Sequence, residues 1–246
     1  MTTTQTHPSP LGTQLAFRHT PGSGPAVVFL PGYMSDMAGG KATAVFDHCI
    51  ARGRECLLLD YSGCGESDGN FADGTLGIWR DEVLALIAAQ VSSERVVVAG
   101  SSMGGWLMLL VGLELGQRLA GLVGIAAAPD FSDWGFDENQ KAGLRNGETI
   151  YEDSDYGYDP MPTHAKFWQD AETRKLLGGA IDLHCPVRLL HGQEDSDVPP
   201  DTSLRLAAAL ESEDVQVTLV KGGDHRLSRE GDIDLLLRTV DSVVEM

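Results

Sequence analysis

Residues 95–110 read RVVVAGSSMGGWLMLL, and this stretch decides the fold. Its first half is a continuous apolar run, which is typical of a strand buried on both faces of a sheet. Its second half is an apolar segment that continues as a helical pattern. The turn between them has the pattern Gly-x-Ser-x-Gly at 100–104, which presents a serine hydroxyl above the sheet when a strand precedes it and a helix follows. The stretch therefore predicts a nucleophilic serine at a strand-to-helix turn.

The serine of this turn is Ser102. Small residues are needed at Gly100 and Gly104, because the chain turns sharply there. Ser101 is the alternative nucleophile, but no glycine stands two residues before it, so Ser102 is favoured. Its hydroxyl would lie at the positive end of the following helix. The backbone N–H of Met103 would then point towards a developing oxyanion.

Short apolar runs alternate with longer helical patterns along the chain. The predicted strands lie at 14–19, 26–30, 55–60, 95–100, 119–128, 185–192 and 214–220. The predicted crossover helices lie at 74–92, 102–118, 201–212 and 230–244. This alternation predicts an α/β fold with a mostly parallel central sheet flanked by helices.

One segment interrupts this alternation. Residues 130–184 contain no convincing strand, only two weak helical patterns near 137–145 and 164–178, and the stretch is too long for an ordinary connection. We predict an inserted helical cap, or lid, over the carboxyl edge of the sheet, where open α/β sheets bind ligands. Its apolar side chains line an acyl or aryl pocket or simply pack the cap onto the sheet: Trp134, Tyr151, Tyr156, Tyr158, Met161 and Phe167. The predicted divisions are a disordered tail at 1–10, a core domain at 11–129 and 185–246, and the cap at 130–184.

The turn after an earlier strand offers a second oxyanion donor. After the run AVVFL at 26–30 the chain continues Pro31-Gly32-Tyr33, and a glycine directly after a strand lets the backbone turn towards the site. The backbone N–H of Tyr33 is therefore predicted to act together with that of Met103. Two preorganised donors stabilise the charge that develops in the transition state. A plain tight turn is the alternative.

The predicted acid follows a later strand. A serine becomes a strong nucleophile when a histidine takes its proton and a carboxylate orients that histidine. Where a serine lies at such a turn, the order along the chain is Ser, then Asp or Glu, then His. Asp195 lies in the first loop after the strand at 185–192, within the pattern His-Gly-x-x-Asp-x-x-Val-Pro, and is favoured. Asp197 and Glu194 remain alternatives.

The predicted base is the last of the seven histidines. His225, in KGGDHRLS at 221–228, follows both the serine and the acid and comes after the last predicted strand. The two glycines before it suit a loop that brings an imidazole over the sheet edge. His191 ends a strand and is interpreted as structural. The predicted triad is Ser102, Asp195 and His225.

The composition excludes several classes of function. Acidic residues outnumber basic ones 36 to 18, for a net charge of −18, which disfavours nucleic acid and anionic membranes as partners. No apolar run reaches the roughly 18 residues of a spanning helix, and the first ten residues lack a signal sequence, so we expect no membrane insertion and a cytoplasmic location. The cysteines at 49, 56, 64 and 185 show no metal-ligand spacing and are predicted to be reduced thiols.

Five stretches carry a resemblance to a known family. They are DYSGCGESDG at 60–69, TLGIWRDEVLALI at 75–87, GSSMGGWLMLL at 100–110, CPVRLLHGQEDSDVP at 185–199 and DHRLS at 224–228. Over residues 11–246 the chain resembles the α/β-hydrolase superfamily. More narrowly, it resembles the branch of the mitochondrial acyl-protein thioesterase and mycophenolic acid acyl-glucuronide esterase. The resemblance implies a triad of Ser102, Asp195 and His225 and hydrolysis of carboxylic esters or thioesters without a metal or organic cofactor.

The predicted mechanism is acyl transfer through an acyl-enzyme. His225 deprotonates Ser102, which attacks the acyl carbonyl of a small or lipidated substrate, and water then releases the acid. One alternative is hydrolysis of a carbon–carbon bond by the same three residues. The other is a non-catalytic binding protein with the same fold, which would be expected to lack one of them.

Overall fold

An eight-stranded sheet forms the centre of the protein. The structure is a computed structural model that describes residues 3–152 and 160–246. The strands of this sheet are β1 (Gln5–Pro8), β2 (Gln14–Thr20), β3 (Ser23–Leu30), β4 (Arg54–Leu59), β5 (Val96–Ser101), β6 (Leu119–Ile125), β9 (Val187–Gly192) and β10 (Val215–Val220). Their spatial order is β1-β2-β4-β3-β5-β6-β9-β10. The pairs from β4 to β10 are parallel, and β2 runs antiparallel to both its neighbours.

Helices cover both faces of this sheet. They are α1 (Gly40–Ala51), α2 (Leu76–Gln90), α3 (Met103–Leu115), α4 (Phe131–Trp134), α5 (Glu138–Arg145), α6 (Ala165–Glu172), α7 (Asp201–Ala209) and α8 (Glu230–Val244). Side chains of α1 and α8 pack on one face of the sheet. Those of α2, α3 and α7 pack on the other. The predicted mostly parallel sheet flanked by helices is confirmed.

The register of the strands brings the predicted site together. Leu30 at the end of β3 lies beside Gly100 of β5, and Ser101 lies beside Ile125 at the end of β6. Ile125 is also paired with Leu190 of β9. Because these parallel strands end level with one another, the loops that follow them emerge at one edge of the sheet.

Two elements of the core were not predicted. Residues 5–8 form β1, which pairs antiparallel with β2, so the prediction of a disordered tail at 1–10 is wrong there. The edge strand is short, and its side chains are mostly exposed, so it leaves no apolar pattern. Helix α1 does carry a signal, since its buried residues have the i, i+3, i+4, i+7 spacing of one helical face: Ala42, Val45, Phe46 and Cys49.

The segment at 130–184 lies between β6 and β9 and contains α4, α5 and α6. It also contains a two-stranded hairpin of β7 (Ile150–Glu152) and β8 (Met161–Thr163), which pair antiparallel. The expectation of no strand here is therefore wrong. Each strand has three residues, too few for an alternating pattern to show. Hereafter residues 130–184 are called the cap segment.

Hydrogen bonds attach the cap segment to helices α2 and α3 of the core. The carboxylate of Asp170 on α6 accepts a hydrogen bond from the backbone N–H of Gly77, 2.9 Å away, in the first turn of α2. The indole of Trp106 on α3 donates to the carbonyl oxygen of Arg174, at 3.2 Å.

Among the described residues, no helix has the length and apolar character needed to cross a bilayer.

Candidate active site

Ser102 occupies a strained backbone position between β5 and α3. Its φ of 55° and ψ of −121° lie outside the regions that L-residues readily adopt. A side chain at Gly100 would collide with the carbonyl oxygen of Gly104, and one at Gly104 would collide with the carbonyl oxygen of Leu30. The two glycines of the Gly-x-Ser-x-Gly pattern are therefore required by backbone packing, and the turn projects the serine from the sheet edge.

The structure brings the three predicted side chains together. Nε2 of His225 lies 3.1 Å from Oγ of Ser102, and Nδ1 of His225 lies 2.9 Å from Oδ2 of Asp195. The alternatives Asp197 and Glu194 make neither contact among the described hydrogen bonds. The serine hydroxyl can donate to Nε2 while Nδ1–H donates to the carboxylate, which is the arrangement that activates a serine.

Asp195 is held as a charged acceptor although its side chain is fully buried. Burial opposes the charge, but hydrogen bonds donated by His191 and His225 outweigh it and hold the pKa of Asp195 well below its ordinary value. The backbone N–H groups of Asp197 and Val198 also donate to Oδ1, at 2.9 and 2.8 Å. The carboxylate therefore stays ionised in the pH range in which hydrolases work.

The loop that carries His225 is fixed against its surroundings. The backbone N–H of Glu194 donates to the carbonyl oxygen of Gly223 at 2.8 Å, which joins this loop to the one that carries Asp195. On the other side, the ammonium group of Lys41 on α1 donates to the carbonyl oxygen of Arg226. Burial, together with the charge of Arg226, lowers the pKa of Lys41 to about 8. Both contacts hold His225 within reach of Ser102.

The predicted oxyanion donors lie in the turns next to the serine. A side chain on Gly32 would come within 3.3 Å of Cβ of Ser102, so the turn that contains Tyr33 passes directly beside the nucleophile. Met103 is the first residue of α3, where backbone N–H groups have no partner within the helix. The hydrogen bonds of the described residues include none donated by the backbone N–H of Tyr33 or Met103.

Asp60 joins the loop that follows this turn to the loop that follows β4, a role that was not predicted from the sequence. Its Oδ1 accepts the backbone N–H of Met37 at 2.7 Å, and its Oδ2 accepts that of Glu66 at 2.8 Å. Burial raises the pKa of Asp60, and these two bonds oppose that rise. A carboxylate directly after the apolar run of β4 was the available signal, since such a residue at the carboxyl edge of a sheet has to find donors.

An aromatic cluster packs between the core and the cap segment. The ring of Tyr33 lies 4.9 Å from that of Phe167 and 5.0 Å from that of Phe71, measured between centroids. Phe167 also contacts Trp79 and Phe131, at 5.6 and 5.7 Å. The cluster is packed against the core, and it places the ring of Phe167 next to Tyr33, which follows Gly32 in the turn beside Ser102.

The other predicted lining residues of the cap segment have separate surroundings. The indole of Trp134 donates to the carbonyl oxygen of Pro129 at 2.9 Å. Tyr151 is 66% exposed and Met161 is 38% exposed. Tyr156 and Tyr158 lie outside the described residues.

One group of described side chains has the spacing of metal ligands, but it lies elsewhere. Asp182, His184 and Glu211 are exposed and offer ligand atoms within 4.8 Å of one another. Asp182 and His184 precede β9 at Val187, whereas Asp195 follows that strand, so this group is at the opposite edge of the sheet. The four cysteines form no disulfide.

A serine at a strained strand-to-helix turn, followed in the chain by an acid and a histidine that meet it at one sheet edge, defines the class of α/β hydrolases. The chain is similar to two solved structures. One is alpha/beta hydrolase domain-containing protein 10 from mouse, with a TM-score of 0.90, 36% identity and coverage of 99% of this chain and 98% of the other. The second is a putative hydrolase from Agrobacterium vitis S4, with a TM-score of 0.91, 34% identity and the same coverage.

Residues 81–240, more than half of the chain, match the prolyl oligopeptidase family. The chain therefore belongs to that family of α/β hydrolases. It is 39% identical over 237 residues to the mouse palmitoyl-protein thioesterase ABHD10, covering 94% of this chain and 79% of the relative. It is 37% identical over 240 residues to the human ABHD10, covering 94% and 76%. The prediction of an enzyme that hydrolyses carboxylic esters or thioesters is confirmed at the level of the class.

The comparisons correct the predicted location. The mouse and human relatives are both named as mitochondrial proteins, which points to mitochondria rather than the cytoplasm. The cytoplasmic prediction is therefore wrong. It was drawn from the composition of the first ten residues and from the absence of long apolar runs, and neither observation distinguishes between two aqueous compartments.

Proposed function

We propose that this enzyme removes long acyl chains from thioesters of protein cysteines, with Ser102 as nucleophile, His225 as base and Asp195 as the residue that orients the base. The observation that carries the triad is the position of the His225 ring, which lies within hydrogen-bond distance of both other side chains. The substrate class is supported by the relatives, which are named palmitoyl-protein thioesterases.

The reaction has two steps. His225 takes the proton of Ser102 as Oγ bonds to the acyl carbon, and the backbone N–H groups of Tyr33 and Met103 stabilise the negative oxygen. His225 then gives the proton to the leaving thiolate as the carbon–sulfur bond breaks. In the second step His225 takes a proton from water, the hydroxide bonds to the acyl carbon, and Ser102 leaves with the proton.

We also propose that the cap segment covers the entrance for the acyl chain. This proposal is supported by two contacts between the cap segment and Tyr33, in the turn beside the nucleophile. The hydroxyl of Tyr33 donates to the carbonyl oxygen of Pro162 on β8, and the ring of Phe167 on α6 packs against the ring of Tyr33. A chain bound along this boundary would meet aromatic and aliphatic side chains, and their burial would favour long acyl groups over short ones.

Labelling with a fluorophosphonate tests the nucleophile. The wild-type protein and Ser101→Ala should label, and Ser102→Ala should not, because Ser101 is the neighbouring hydroxyl in the same turn and serves as a matched control. Labelling of Ser102→Ala that persists would show that another residue is the nucleophile.

A chain-length series tests the substrate. Thioesters of one cysteine peptide carrying acyl groups from C2 to C16 should be cleaved with kcat/KM rising with length, and the matching serine O-esters report the role of the leaving group. A protein that labels but cleaves no ester or thioester would support the carbon–carbon bond hydrolase instead. A protein that neither labels nor cleaves would support a non-catalytic binding protein.

A further inference from the structure

A second histidine contacts the proposed catalytic acid. Nε2 of His191, the penultimate residue of β9, lies 3.2 Å from Oδ2 of Asp195 and 2.9 Å from the carbonyl oxygen of Val198. On the other side of the ring, Nδ1 lies 2.7 Å from Oγ of Ser203 on α7. The side chain of His191 and the whole of Ser203 are inaccessible to solvent. The contacts therefore form in the interior, where a hydrogen bond is little weakened by competition with water.

The partners of His191 determine where its proton lies. A carboxylate oxygen and a carbonyl oxygen are both acceptors, so Nε2 must carry a hydrogen to contact them favourably. The hydroxyl of Ser203 can then donate to the unprotonated Nδ1. This arrangement gives every polar atom of the buried ring a partner.

The contact from His191 also completes the surroundings of Asp195. Oδ1 receives the backbone N–H groups of Asp197 and Val198, and Oδ2 receives His225. Nε2 of His191 lies 3.2 Å from Oδ2 and shares its hydrogen with the closer carbonyl oxygen of Val198. A carboxylate offers about four acceptor positions, so three are bonded and the fourth faces His191. Rotation of the carboxylate would break at least two of these bonds, and Oδ2 is held in the direction of His225.

We propose that His191 is a positioning residue of the active site, which donates through Nε2 to Asp195, is itself held by Ser203, and so sets the orientation and basicity of the acid behind His225. This role rests on the proposed triad. It extends the chain of contacts from Ser203 on α7 to Ser102 at the turn before α3. The largest hydrogen-bond contribution that lowers the pKa of Asp195 comes from His191, which agrees with this role.

The pH dependence follows from sharing the charge of Asp195. Without the bond from His191, the carboxylate would retain more negative charge towards His225 and would stabilise its imidazolium form. Protonated His225 cannot accept the proton of Ser102, so the acidic limb of the kcat/KM profile should move to higher pH. Besides Asp195, the charged groups of the loop that stay constant in the comparison are Asp224 and Arg226 on either side of His225 and Lys41, which donates to the carbonyl oxygen of Arg226.

Two variants of His191 separate its chemistry from its volume. His191→Leu removes the donor and should lower kcat/KM roughly 10- to 100-fold with KM little changed. This range is the loss that commonly follows removal of the hydrogen-bond partner of a metal-ligating side chain, which is a comparable positioning role. His191→Gln places an amide N–H near the position of Nε2 and should recover most of the rate and the wild-type profile. His48→Leu is the matched control, because it removes a partly buried histidine of α1 whose Nε2 likewise contacts a carboxylate, that of Asp241 on α8, at 3.0 Å.

Nitrogen-15 NMR of the histidine side chains provides a test that does not depend on turnover. The spectrum should show a proton on Nε2 of His191 and an unprotonated Nδ1 that accepts from Ser203, and Ser203→Ala should shift the Nδ1 resonance. Equal rates and profiles for His191→Leu and wild type, or a proton on Nδ1 of His191, would overturn the proposal.

The same measurements separate this proposal from the proposed function. A wild-type protein that neither labels nor cleaves esters would contradict the function, while the NMR spectrum would still decide the state of His191. If His191→Leu does not fold, Ser203→Ala takes its place. It removes one hydroxyl and should lower kcat/KM by less than His191→Leu is expected to, and a rate and spectrum identical to wild type would count against the proposal.

Discussion

The hydroxyl of Tyr33 donates a hydrogen bond to the carbonyl oxygen of Pro162, 3.0 Å away. The side chain of Tyr33 therefore holds β8 of the cap segment, while the preceding residue, Gly32, lies directly beside Ser102. Burial raises the pKa of Tyr33 well above that of an exposed tyrosine, so the phenol keeps its proton and remains a donor at neutral pH. This side chain therefore links the cap segment to the turn beside Ser102.

Tyr33→Phe should separate the two roles. The backbone donor remains, so kcat for a short ester should be unchanged. The carbonyl of Pro162 loses its partner, which should cost about 1 kcal/mol of unfolding free energy and should raise KM several-fold for a C16 thioester. Steady-state kinetics and thermal unfolding measure these effects. Tyr151→Phe, at an exposed tyrosine of the cap segment, is the control, and an equal loss for both esters would show that the hydroxyl does not act through the cap segment.

Ser102→Gly should be inactive and yet more stable than Ser102→Ala. A residue other than glycine at φ 55° and ψ −121° carries strain of order 1–3 kcal/mol, which glycine avoids. Glycine also has more freedom in the unfolded chain, which offsets roughly 0.5–1 kcal/mol of the gain. Denaturant unfolding should therefore show a net difference of about 1 kcal/mol. A glycine variant less stable than the alanine variant would mean that the turn stores no strain.

Asp130→Ala should loosen the base of the cap segment. The carboxylate of Asp130 accepts the backbone N–H groups of Leu176 and Leu177 at 2.8 and 2.7 Å, and its backbone is left-handed, with φ 58°. Alanine loses both bonds and fits this conformation poorly, so the loss should be roughly 2–4 kcal/mol. Asp130→Asn tolerates the backbone and keeps one acceptor, so it should lose about half as much.

Thermal unfolding and limited proteolysis of residues 130–184 would measure the effect of Asp130→Ala. The matched control is Asp133→Asn, because Asp133 is exposed and, among the described residues, its carboxylate makes long ion pairs only, with Lys141 and Lys175. Cleavage at the same rate in Asp130→Ala and wild type would show that the carboxylate does not hold the two ends of the segment.

Glu55 should make the protein sensitive to acid. Burial opposes its charge, but donors from Ser93, Ser92 and His19 lower its pKa from 4.5 to about 2. A carboxyl with a lowered pKa stabilises the fold above its unfolded pKa, here by roughly 3 kcal/mol. That stability is lost as the pH falls from about 5 towards 2.

Unfolding free energies measured between pH 2 and 7 test this prediction. Glu55→Gln should be less stable than wild type at pH 7, and the difference should shrink as the pH falls. The exposed Glu66→Gln serves as control. A constant difference between wild type and Glu55→Gln at every pH would contradict the lowered pKa.

The parts of this protein that could be predicted are those with a strong local pattern. Strands β5 and β6 are continuous apolar runs, and the glycines around Ser102 report a turn that only small residues permit. Helix α1 was not among the predicted helices, although its buried residues have the regular spacing of one helical face. Strand β1 could not be found, since its pairing with β2 satisfies backbone groups without burying side chains.

The sequence patterns gave the least information about contacts between residues that are distant along the chain. His191 was interpreted as structural because a histidine that ends a strand has no local sign of its partner. Its role depends on Ser203, which lies 12 residues away in α7 and meets the ring only after folding. Similarly, nothing near Tyr33 indicates that its hydroxyl reaches Pro162, 129 positions further along the chain.

The bonds from Leu176 and Leu177 to Asp130 bring the entry and exit of the inserted chain side by side. Between these two points the polypeptide leaves and rejoins a sheet whose strands β6 and β9 pair directly with each other. Such a site tolerates replacement, because adjacent ends can be rejoined without distorting the scaffold. Recombination between family members at these positions should therefore yield chimaeras that retain the hydrolytic machinery of one parent and acquire the acyl-chain selectivity of the other.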